Sequence, residues 1–228
     1  MTLQNRRSWQ IGVSLALLVW FCGIAWLAAT GFFLRGYRAF GLSSIQLAIF
    51  LPMIFFWILY LLVPPFAEFA RSANLVFLVA VQAVRLLALS HVFSWGYGLM
   101  AGGFAIPVGL GNVLVCALAL GSVVAVAERR GRWWRRVYLL TFVGLAEFAM
   151  TVGLAVMGLF TMSLPFDPAP AIGGYITFAT PPLSLFPTFA IPALTLVHFV
   201  TIVAVRHQAV EHANIALYTS THGAQSRA

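Results

Sequence analysis

The fold class this sequence predicts is all-α: a polytopic membrane bundle of six transmembrane helices with both termini cytoplasmic. Three observations predict it. Hydrophobic residues make up 62% of the 228 and charged residues 8%, whereas a soluble surface needs roughly a quarter or more of its residues charged. The apolar residues gather into six runs of spanning length, since a hydrocarbon core of about 30 Å needs about 20 residues at 1.5 Å rise. The arginines fall almost entirely on one side of those runs.

The runs cover roughly 9–33, 42–63, 74–94, 106–127, 137–160 and 183–205 of one transmembrane domain, 1–228. The first follows Arg6-Arg7 and resembles a signal peptide. It is too long for one and has no A-x-A site behind it, so it reads as a retained helix. Pro64-Pro65 ends the second, because consecutive prolines remove donors and block helical turns. The third, Asn74–Ser94, carries Arg85 near its middle. The fourth opens with the glycine-rich Gly102–Asn112, which lets a neighbouring helix approach closely. The fifth carries Glu147. The sixth carries Pro187 and Pro192, and Pro192 withholds a donor from the carbonyl of Thr188, which predicts a kink. Between the last two runs lies a long outer loop, Thr161–Pro182, rich in Pro and Gly and with one charge, Asp167. Structureless loops of that length are commonly functional or lid-forming.

Orientation follows from charge. With both ends inside, the inner segments hold Arg6, Arg7, Arg71, Arg129, Arg130, Arg132, Arg135, Arg136, Arg206 and Arg227, and the outer loops hold Arg35 and Arg38. This is a strong positive-inside bias. It accounts for the net charge of +8 without nucleic acid. Trp133 and Trp134 suit the headgroup belt beside the basic hairpin Glu128–Arg136, which could also hold anionic lipid. All 13 basic residues are arginine, and that excludes a retinal Schiff base, which needs a lysine. Cys22 and Cys116 have no disulfide or metal-ligand spacing and read as buried packing. No zinc-protease, kinase, serine-hydrolase or phosphate-loop signature is present. No cofactor and no metal site are expected.

The polar residues inside the runs carry the functional content. An arginine at mid-membrane costs about 2.5–3.5 kcal/mol on insertion scales and cannot shed its proton. Arg85 must therefore face the protein and find partners. At helical rise, Arg85 lies about 17 Å and Glu147 about 15 Å above the inner ends of their runs, level and opposite in charge. Gln82 is one turn below Arg85 on the same face. His198, in the stripe Thr195–His198–Thr201, lies about 10 Å up and Asn112 about 22 Å up. Gln82, Arg85, Asn112, Glu147 and His198 are the candidate ligand-binding or proton-relay residues. A structural ion pair or helix-to-helix hydrogen bonds would use the same residues. At helical spacing His91 falls on a different face from Arg85 and near the outer surface, which argues against a bis-histidine haem with His198. His207 and His212 read as surface histidines.

Three motifs, Q-x-x-R at Gln82–Arg85, G-F-A-x-P-x-G-x-G-N at Gly103–Asn112 and P-L-S-L-F-P-T-F-x-x-P-x-L-x-L-x-H at Pro182–His198, resemble a family of small six-helix bacterial integral membrane proteins of uncharacterised function. The resemblance covers roughly Ala73 to Val205. It implies a multi-pass protein of the bacterial inner membrane. In the family's pattern positions 112 and 147 are both aspartate. Glu147 keeps that charge and Asn112 does not, so a mechanism that needs a carboxylate at 112 does not carry over. The family brings no activity with it.

The sequence points first to a small-solute or proton-coupled transporter whose partners are the bilayer and a small polar or anionic solute. It points second to a non-catalytic subunit of a larger membrane complex, and third to an enzyme acting on lipid or isoprenoid, for which no nucleophile constellation is present.

Overall fold

The computed structural model describes residues 3–39, 42–157 and 179–225. Asp167, Arg227 and the predicted outer loop through residue 178 lie outside the described residues, as does the side chain of Arg6. The fold is all-α, and six helices of 19 to 27 residues are long and apolar enough to cross a membrane.

The first helix, α1, spans Leu3–Ala29. Two-residue strands, β1 (Arg38–Ala39) and β2 (Leu42–Ser43), pair antiparallel with Arg38 opposite Ser43 and close the connection to α2, Ser44–Leu62. Ser43 caps α2 reciprocally. The backbone N–H of Gln46 donates to its Oγ at 3.3 Å, and its own N–H donates to Gln46 Oε1 at 2.8 Å, so two donors that the first turn would leave idle are used. Pro64-Pro65 stops α2 as expected and also starts a new helix, α3 (Pro64–Arg71), because proline fits the first turn, where no N–H is required. Short and amphipathic, α3 buries Ala67 and Ala70 and holds Phe66 and Phe69 against Trp9, with ring centroids at 5.9 and 6.2 Å.

The third apolar helix is not uniform. It comprises α4 (Leu75–Ala80), a 3-10 segment (Val81–Ala88) and α5 (Leu89–Gly96). Eight residues is long for 3-10 winding, in which side chains three apart eclipse. Burial follows that period: Val79, Gln82, Arg85, Ala88 and His91 are all buried. This corrects the expectation for His91. Three residues per turn, instead of 3.6, bring it back onto the strip of Arg85, and it packs inward against Phe186 at 4.4 Å between ring centroids.

Two further long helices follow, α6 (Gly102–Ala127) and α7 (Trp133–Val156). The last begins with a π turn at Phe186–Ala190 and runs on as α8, Ile191–Gln225. The irregularity expected from Pro187 and Pro192 thus takes the form of π winding. Cys116 is buried, with its Sγ 3.6 Å from the carbonyl of Ala83, but Cys22 is exposed, contrary to expectation. The apolar run around Cys22 faces outward from the bundle.

The four helices from Leu75 onward form most of the core, and α1 and α2 add Ile24, Ala28, Ile45 and Ile49 to one of its clusters. At one end Val79, Val115, Leu140 and Ala204 share an apolar cluster. At the other end Phe104 and Val108 anchor a second cluster, and Phe148 and Ile191 belong to a third. The connection between α6 and α7 is fastened beneath the first cluster. Arg129 stands at φ 52°, a conformation uncommon outside glycine, and lays its guanidinium on Trp133 at 4.1 Å. It donates to Gln208 Oε1 at 2.6 Å, and Gln208 Nε2 donates to the carbonyl of Ala73 at 3.0 Å.

Candidate functional site

Each core helix places a polar residue between the apolar clusters, and the structure brings all five sequence-predicted residues together. Arg85 is the hub. Its Nε donates to Gln82 Oε1 at 2.9 Å, and its Nη1 donates to Asn112 Oδ1 at 3.1 Å and to Glu147 Oε2 at 2.7 Å. Its Nη2 lies 3.0 Å from His198 Nε2. The guanidinium also covers the ring of Phe148, 3.8 Å from the centroid, where the negative face of the ring attracts a cation.

The hydrogen-bond roles follow from what each group can do. A guanidinium only donates, so His198 Nε2 must accept and the imidazole is neutral, with its proton on Nδ1. The same rule turns the amide oxygens of Gln82 and Asn112 toward Arg85. Asn112 then uses Nδ2 on the carbonyl of Val108 at 2.9 Å and on Glu147 Oε1 at 2.6 Å. Glu147 Oε1 accepts a further bond from Thr151 Oγ1 at 2.8 Å. Three donors aimed at Glu147, one of them a guanidinium, favour its ionised form, in which the centre as a whole is formally neutral. Gln82, Arg85, Asn112 and His198 are 1–2% exposed and Glu147 5%. A buried ion pair in such surroundings is sustained by its additional hydrogen bonds.

Local winding makes the convergence possible. In the 3-10 segment Gln82 and Arg85 are one full turn apart and eclipse, so the amide sits directly against Nε. Two glycines admit the other partners. A Cβ on Gly144 would come within 2.2 Å of His198 Nε2, and one on Gly111 within 2.9 Å of Glu147 Cγ. The histidine and the carboxylate occupy space that any other residue would fill.

Counted along the sequence, the five residues spread over about 12 Å of depth. The structure removes that spread for two physical reasons. Helix α8 continues to Gln225, so Val205 is no end from which to count. Eight residues of 3-10 also lengthen the third helix by about 4 Å relative to α winding. Thr151, Phe148 and Gly144 were not read from the sequence, whereas Gly111 belongs to the glycine-rich segment expected to admit a neighbouring helix. The available signal was spacing in α7, where Gly144, Glu147 and Thr151 follow at three and four residues and so share a face.

Among the described residues no group of three His, Cys, Asp or Glu side chains is placed to hold a metal. Within the centre itself, Gln82 Nε2 has no hydrogen-bond partner among the described residues. Turning the amide over would set two donors, Nε2 and Arg85 Nε, against each other, so no rotation cures it.

Comparison with known proteins adds a family. Residues 42–206 match the model of a domain of unknown function, DUF8737, and the chain belongs to that family. The matched residues contain the stretch Ala73–Val205 that carries the resemblance described above. No curated protein and no solved structure matches the chain.

Proposed function

We propose that this member of the DUF8737 family crosses the bacterial inner membrane six times with both termini cytoplasmic, and that its buried centre is the site of a small-solute or proton-coupled transporter. The apolar outer faces support the membrane reading: Leu62, Leu87 and Phe142 are 73–74% exposed and suit hydrocarbon. The arginine distribution supports the orientation.

The observation that carries the transport reading is the idle amide of Gln82 beside Arg85. A clamp that only locks helices gains nothing from a buried donor left unpaired, which costs about 1–3 kcal/mol. A carbonyl or carboxylate oxygen of a passing solute, or a water, completes it. Both irregular windings, 3-10 and π, lie on helices that supply the centre, and such segments recur at hinges and functional sites.

The test is flux in liposomes carrying an entrapped pH dye, with a pH gradient imposed and a panel of small carboxylates added outside. Wild type accelerates the dye response for at least one solute. Arg85→Gln and Glu147→Gln return it to the protein-free level while eluting as folded protein on gel filtration. Wild-type flux in both variants would refute the reading, and loss of folding in both would make the pair structural.

A second reading, a non-catalytic subunit of a larger membrane complex, is favoured by one observation: α1 and α2 bury only 11% of their apolar stretches against the rest of the chain. Elution as a stable monomer in mild detergent would count against it.

A further inference from the structure

A cavity of about 490 Å³ opens beside the polar centre, between the β1–β2 hairpin, α2, α7 and the π turn. Its two ends differ. Arg38, Ser43 and Gln46 line the exposed end, while Thr151, Phe104 and Ile191, each 2–3% exposed, line the buried end. Ile45, Ile49 and Val152 are among the residues that wall the space between.

The capping box fixes what the rim can offer. The Ser43 and Gln46 oxygens already accept backbone N–H groups. What remains facing a ligand is the Gln46 amide N–H pair, the Ser43 hydroxyl proton and the Arg38 guanidinium, against one spare lone pair on each of the two oxygens. Among the described residues no carboxylate pairs with Arg38; the ion pairs there are Arg85–Glu147 and Arg130–Glu128. At the floor the arrangement reverses. Thr151 commits its hydroxyl proton to Glu147, so the floor presents no donor. A cationic, donor-rich rim above an apolar shaft selects both the kind of ligand and its direction.

We propose that this cavity binds a single-tailed amphipathic anion, its acidic head held by Arg38, Ser43 and Gln46 and its apolar tail directed toward Thr151. The site adjoins the Arg85 centre at Thr151 but goes beyond the transport reading, because binding is read without any flux. A volume of this size lies within the range of small-ligand pockets. Carboxylate and phosphate heads satisfy the same donors, so the natural ligand is either a free amphipathic acid or a single-tailed phospholipid.

The experiment uses the full chain in phosphatidylcholine nanodiscs and dodecanoate as the probe, with binding followed by calorimetry. Dodecanoate saturates at one per protein, and dodecylamine of equal chain length binds at least about tenfold more weakly, as loss of a charged hydrogen bond implies. Arg38→Gln weakens dodecanoate to a similar degree. Ala155→Phe, which fills the shaft, abolishes binding. Should that variant fail to fold, Ile49→Cys on a Cys22→Ala, Cys116→Ala background gives the same answer: dodecanoate protects it from a maleimide and dodecylamine does not. Competition by lysophosphatidylglycerol, which has one tail, assigns the site to a lipid head, and its absence assigns it to a free acid. Equal binding of the amine and the acid, or dodecanoate binding untouched by Ala155→Phe with Ile49→Cys unprotected, overturns the proposal.

Discussion

The helices from Leu75 onward and the two before them are equally apolar yet organised in opposite ways. In the later four, 39–44% of each apolar stretch is buried against protein; in α1 and α2 the figure is 11%. The later four also hold every buried ionisable or amide side chain among the described residues, whereas α2 contributes a single buried polar residue, Ser44. Protein contact and polar chemistry therefore coincide. Hydropathy alone cannot separate the two groups, because outward-facing and core-facing leucines look alike in a window average. The polar residues do separate them. In the proposed membrane a helix with something polar to satisfy must turn it inward, whereas α1 has little to hide and packs through a few apolar contacts, such as Ile24 and Ala28 in the third cluster and Trp20 on Phe189 at 4.8 Å. The family match begins at residue 42, so α1 also lies outside the matched residues.

Substitutions can sharpen or break this contrast, and the largest effect is expected at the centre. Glu147→Ala leaves a buried cation without its counter-charge and costs about 3–5 kcal/mol in denaturant unfolding of the detergent-solubilised protein. The double replacement Arg85→Met with Glu147→Met recovers most of that loss, since neither charge then remains to be solvated. Asn112→Asp turns the donor facing Glu147 Oε1 into an acceptor and costs about 1–3 kcal/mol; adding Glu147→Gln restores a donor between the two positions and reverses the loss. Gly144→Ala pushes a methyl into His198, with about 1–3 kcal/mol expected from overpacking, seen as a lower melting temperature. At the other extreme, Leu18→Ala in α1 and Leu62→Ala in α2, 57% and 74% exposed, shift stability by less than about 0.5 kcal/mol. Losses above 2 kcal/mol at those outer positions would abolish the distinction between the two regions.

Much of this arrangement is legible in the sequence. Six runs, their order and the five polar members can be read because charge in an apolar run is expensive and therefore rare. Arg85 and Glu147 meet as their estimated depths imply. His198 and Asn112 meet Arg85 despite theirs, since rise along a chain says nothing of where a helix truly ends. The face assigned to His91 was wrong because periodicity arguments assume 3.6 residues per turn, and nothing in VQAVRLLA announces 3-10 winding. Thr151 was overlooked because a threonine in an apolar helix usually satisfies itself on its own backbone, as Thr195 and Thr201 do. Its role appears only once the carboxylate one turn earlier is in place.

The fastening at Arg129 has a mechanical consequence. Through Trp133, Gln208 and Ala73 it ties the start of the third helix, the α6–α7 connection and the tail of α8 into one knot. Four rods bound at one end can splay only at the other, and the other end is where the cavity opens. Backbone amides of α6 and α7 near the knot should exchange with deuterium most slowly, with rates climbing toward Gly102 and Val156, and Gln208→Ala should flatten that gradient.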